Sequence, residues 1–104
     1  MSAGRPGGDA GADLVQTELE RVVRRWQQLP LDRALRASGV FHEVVQALAD
    51  EVASVTGMPP APVPDLGPAV LPDQLRVMAH DWTLAGLPPQ ALGERLTALR
   101  RALP

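Results

Sequence analysis

The sequence predicts an all-α fold, a small four-helix bundle in which a proline-rich strap joins two helical pairs. Three observations lead there. Apolar side chains recur at alternating spacings of three and four residues in four separate stretches, the signature of helices that bury one face. Pro or Gly stands at each boundary between those stretches. One segment, Gly57-Met58-Pro59-Pro60-Ala61-Pro62-Val63-Pro64-Asp65-Leu66-Gly67-Pro68-Ala69-Val70-Leu71-Pro72, holds six of the eleven prolines, and no helix can run through it.

Residues 1–12 carry four glycines and a proline and, apart from Met1, no large apolar side chain. Such a segment gains too little by burial to offset its ordering entropy, and it is expected to be a disordered tail ahead of a single domain over 13–104. The first helix is expected from about Asp13, a good N-cap type, to Leu29, with Val15, Leu19, Val22, Trp26 and Leu29 on one stripe. Glu18 and Glu20 stand early in it and Arg24 and Arg25 late, the order the helix dipole favours. Pro30 stops it. Asp32 is the expected cap of the next stretch, where Ser38-Gly39 allows two readings, a break or a weak point in one continuous helix. Beyond it Phe41, Val44, Val45, Leu48, Val52 and Val55 mark the buried face, and Gly57 ends the helix.

The connection 57–71 is too apolar for a plain tether. Val63, Leu66, Val70 and Leu71 are expected to be buried, so that it lies as an ordered strap across the helices. The third helix starts at Leu71-Pro72, with proline in the first turn and Asp73 beside it, and carries Leu71, Leu75, Met78, Trp82 and Ala85. Gly86 closes it, Leu87-Pro88-Pro89 makes the turn, and the last helix carries Leu92, Leu96, Leu99 and Leu103.

Composition narrows the function classes. Twelve acids against ten arginines give a net charge of −2, which argues against a nucleic-acid or membrane-surface partner. No apolar run is long enough for a membrane span. Without cysteine there is neither disulfide nor thiolate chemistry nor a Cys-type zinc site. The N-terminus lacks a signal-peptide pattern, so the expected location is cytoplasmic. Lys, Ile, Asn and Tyr are all missing, which fits the coding bias of a high-GC bacterial genome.

No catalytic constellation is legible. The only histidines, His42 and His80, each precede an acid, Glu43 and Asp81, but adjacent helical positions diverge by about 100 degrees and do not chelate. None of the Ser and Thr hydroxyls stands in a nucleophile elbow, and the tail glycines neither follow a strand nor precede a P-loop lysine. The reading is therefore of a non-enzyme with no cofactor and no metal.

The leading expectation is a non-catalytic interaction module whose partner is another protein or its own copy. Its candidate contact residues are Trp26, Val77, Trp82 and Leu84. Val70, Val77 and Leu84, seven residues apart, widen the apolar arc of the third helix beyond what one bundle contact requires, and tryptophans are frequent anchors of partner interfaces.

The segment Gly86–Leu103, GLPPQALGERLTALRRAL, resembles the turn and recognition helix of bacterial helix-turn-helix regulators. That resemblance implies DNA binding, with Arg95, Arg100 and Arg101 meeting phosphates. Trp82 stands where those motifs carry a small residue and Arg95 where they carry a buried aliphatic. A third reading is a small-molecule-binding bundle using a pocket under the strap.

Overall fold

The computed structural model describes residues 6–104. They form four α-helices, α1 Pro6–Gln28, α2 Leu31–Thr56, α3 Leu71–Leu84 and α4 Pro89–Ala102, and no strand. The all-α bundle is the fold the apolar stripes predict. Val22, Trp26, Phe41, Val45, Leu48, Leu71, Leu75, Trp82, Leu92, Leu96 and Leu99 make one core, closed at its end by Leu103.

Several boundaries differ from expectation. α1 begins at Pro6, ahead of Asp13, so helix extends into the segment read as a tail; residues 1–5 of that segment lie outside the described residues. Proline is tolerated in a first turn because its missing N–H has no intrahelical partner there. Gly11 then lies buried against Pro89, where a Cβ would stand 3.0 Å from the ring. The absence of a side chain, read as a reason for disorder, is what lets the two helices approach.

α2 is continuous through Ser38-Gly39, so that pair is a weak point and not a break. The Ser38 hydroxyl donates to the Ala34 carbonyl one turn back. Asp32 does not cap: the N-cap is Pro30, and Asp32 pairs with Arg36 along the helix surface. Val55, expected on the buried face, is exposed near the C-terminal end of α2. Gly57 ends the helix as expected, at φ 74°, a left-handed conformation that only glycine adopts without strain. There its N–H and that of Met58 both reach the Ala53 carbonyl.

The packing pairs are not the sequence pairs. α1 packs chiefly against α4, and α2 against α3. Contacts along α1 and α4 rise together: Gly11 meets Pro89, Leu14 meets Gly93, Glu18 meets Arg100 and Arg25 meets Pro104. The two helices therefore run parallel. α3 likewise starts beside the first turns of α2, where Leu31 and Ala34 share a cleft with Pro72, Asp73 and Arg76. It then passes Ala49 at Val77 and Met78, in the same general direction as α2. The topology is up-down-down-up.

That topology explains the strap. A parallel neighbour requires the chain to travel back along α2, about 39 Å for its 26 residues. The 14 residues between Thr56 and Leu71 can span at most about 46 Å, so even with a turn at residues 68–70 they can cover most of that path.

Candidate interaction surface

The strap lies against α2 through polar contacts more than apolar ones. Gln46 accepts from the Val63 N–H at 2.7 Å and donates to the Ala61 carbonyl at 3.0 Å, the two hydrogen bonds a paired strand would supply. His42 Nε2 donates to the Val63 carbonyl at 3.0 Å, Gln74 to the Pro64 carbonyl at 2.9 Å, and the Trp26 indole to the Pro68 carbonyl at 2.8 Å. Proline-rich backbone has few N–H groups but keeps every carbonyl, so donor side chains from the helices are what it needs. The burial expected of the strap is only partly realised. Leu71 is buried, Val63 and Val70 are half-buried, and Leu66 is 59% exposed. With carbonyls serving as anchors, Leu66 is left over on the outer side.

These anchors fix one wall of an open apolar cleft of about 400 Å³ between strap, α2 and α3. Ala49, Pro62, Val63, Val77 and Met78 supply its apolar surface, and Asp73 and Gln74 its rim. Val77 is 53% exposed at its edge, and Leu84, two turns further along α3, is 73% exposed. The inner side of α3 is already satisfied by Leu71, Leu75, Ala79 and Trp82 in the core. The excess apolar arc of α3 thus faces outward, uncovered by the strap.

The other two candidate contact residues are elsewhere. Trp26 is buried, its ring edge-on to Phe41 with centroids 4.8 Å apart. Trp82 is 1% exposed, donates to the Pro88 carbonyl at 2.9 Å, and lies beneath the Arg95 guanidinium, 5.7 Å from its centroid. Both indoles are core groups that also tie down a connection, so neither presents a surface to a partner.

Two of the three arginines suggested by the helix-turn-helix resemblance have carboxylate partners within the chain. Arg95 pairs with Glu51 at 2.6 Å and Arg100 with Glu18 at 2.7 Å, while Arg101 is exposed. α4 packs chiefly on α1, away from the α3–α4 contact a helix-turn-helix unit would use. Among the described residues no three His, Asp or Glu side chains converge, and no helix is long and apolar enough to cross a membrane.

The residues that sequence reasoning missed are Gln46, Gln74 and Glu18. Gln46 lies off the apolar stripe of α2, and nothing in its spacing announces that a strap will cover it. Comparison of the chain with protein-family models, with curated proteins and with solved structures gives no match in any of the three.

Proposed function

We propose that this chain is a non-catalytic helical interaction module that uses the outer face of α3 and the adjoining cleft to bind a second copy of itself. The observation that carries the reading is the placement of Val77 and Leu84. They stand seven residues apart on the exposed side of a helix whose core side is fully occupied, next to an apolar cleft with a fixed wall. Unpartnered apolar surface of this kind marks an association site more often than it serves a monomer, and a twofold axis lets one patch satisfy itself. No polar side chains converge in the cleft beyond its rim, which supports binding over catalysis.

The test is light scattering coupled to size exclusion. The unmodified chain is expected to be dimeric, and Val77→Glu monomeric with its helical circular dichroism retained, since that half-exposed position tolerates a charge in a lone chain. A monomer at high concentration, or a Val77→Glu protein that stays dimeric, overturns the reading.

A further inference from the structure

A second surface, lined by different helices, has a chemistry of its own. Because α1 and α4 run parallel, their C-terminal turns lie at one end of the bundle, and both turns are basic. Arg21, Arg24, Arg25 and Arg100, with Gln28, line a single cleft of about 430 Å³ there. One side-chain carboxylate faces these four guanidiniums. Glu18, buried at the base, accepts from Arg21 at 3.2 Å and from Arg100 at 2.7 Å. Arg25 donates to the Pro104 carbonyl, and Glu20, next along α1, accepts from Gln16. Arg24 and Gln28 are exposed and have no hydrogen-bond partner among the described residues.

This concentration of charge is invisible in the net value. Four arginines against Glu18 at the cleft leave six arginines against eleven acids over the remainder of the chain. Helix C-termini favour a cation or two in the last turn, but that preference is met by Arg25 and Arg100 alone. We infer that the cleft between the C-terminal halves of α1 and α4 binds an acidic protein segment, with carboxylates spaced about one helical turn apart.

The spacing and the surroundings select that partner. Arg21, Arg24 or Arg25, and Gln28 succeed one another over about 10 Å of helix, so one small anion would engage only part of the row. Arginine forks suit carboxylates bidentately, and arginine clusters are a recurring means of recognising acidic motifs. A nucleic acid fits less well. Single strands bind by stacking bases on aromatic rings, and Trp26, Phe41 and Trp82 are all buried. A duplex, with a charge every 1.7 Å or so, would continue past the cleft over a surface where acids predominate.

Fluorescence anisotropy with a labelled alanine-based peptide carrying Glu at i, i+4 and i+7 tests the inference. It is run beside the same peptide with Gln for Glu, and beside a thymidine oligonucleotide. The Glu peptide is expected to bind at low salt, to weaken as salt rises, and to lose roughly tenfold or more in affinity in Arg24→Glu, as a charge-assisted contact would. Arg24→Gln, the milder change at the same exposed position, should weaken it less. Both variants should keep the unmodified oligomeric state, which separates this surface from the α3 face. No binding at low salt, equal binding to the Arg24 variants or to the Gln peptide, or tighter binding of the oligonucleotide would each overturn it.

Discussion

Glu18 shows how one side chain changes meaning when the chain folds. In a helix starting at Asp13 it is an early acid that suits the dipole, but in α1, which starts at Pro6, it stands near the middle, beyond the reach of that effect. In the bundle it is 3% exposed and joins α1 to α4 through Arg100, with Arg21 as a second donor. The hydrogen bond from Arg100 holds its carboxyl below the usual glutamate range, and the charges of Arg100 and Arg21 add to this against the opposing effect of burial. The folded chain therefore keeps Glu18 charged at a pH where the unfolded chain has begun to protonate it. Its contribution is complete above the ordinary glutamate range and is lost as pH falls through the depressed folded value. Glu18→Gln should cost about 1–3 kcal/mol at neutral pH, through weakened bonds to Arg100 and Arg21. The variant should also lose less further stability on acidification. Urea denaturation of both proteins at neutral and acid pH measures this, and parallel pH dependences would remove Glu18 from the account.

At the scale of elements the strap is the informative case. Its apolar residues suggest that burial holds it, whereas the structure holds it by its carbonyls. The two accounts predict different sensitive residues. Gln46→Ala leaves the half-buried Val63 N–H without its partner, gives up the bond to the exposed Ala61 carbonyl, and should cost about 1–2 kcal/mol. Leu66→Ser removes an exposed side chain and should stay within about 0.5 kcal/mol of the parent. Thermal unfolding of the two variants decides between them. A large loss in Leu66→Ser with none in Gln46→Ala would restore the burial account. Since the same anchors fix the wall of the α3 cleft, Gln46→Ala is also the change that would loosen that cleft without altering its lining.

For the whole molecule the decisive feature is the close approach of parallel helices. Gly93 is buried on α4, and a Cβ there would come within 2.5 Å of Leu14 Cδ2 on α1. Gly39, in the middle of α2, has nothing within 4 Å of the equivalent point. Both are helical glycines, and in an isolated helix each Gly→Ala change would stabilise by about 1 kcal/mol. Tertiary context should separate them. Gly39→Ala should gain roughly that amount, whereas overpacking at Gly93→Ala, worth about 1–3 kcal/mol, should cancel or reverse it. Truncating Leu14 to Ala in the same chain should relieve the Gly93→Ala clash. Equal gains at both glycines in chemical denaturation would mean that α1 and α4 are further apart than described.

The class of fold, four helical stretches and the places where they end were legible in the sequence, though not the start of α1. Those follow from local causes: apolar spacing along Phe41, Val45 and Leu48 or Leu92, Leu96 and Leu99, proline at Pro30, Pro72 and Pro89, and glycine at Gly57 and Gly86. The sequence also marked Val77 and Leu84 as surplus to one bundle contact, because the width of an apolar arc is a property of the helix alone. Which helices pair, that Trp26 and Trp82 are core groups, that Leu66 faces outward, and that arginines distant in sequence share a cleft were settled by packing. Each of these depends on which neighbour arrives from elsewhere in the chain. Local spacing shows that a side chain needs a partner, but the partner itself is chosen by the parallel return path that the strap imposes on α3 and α4.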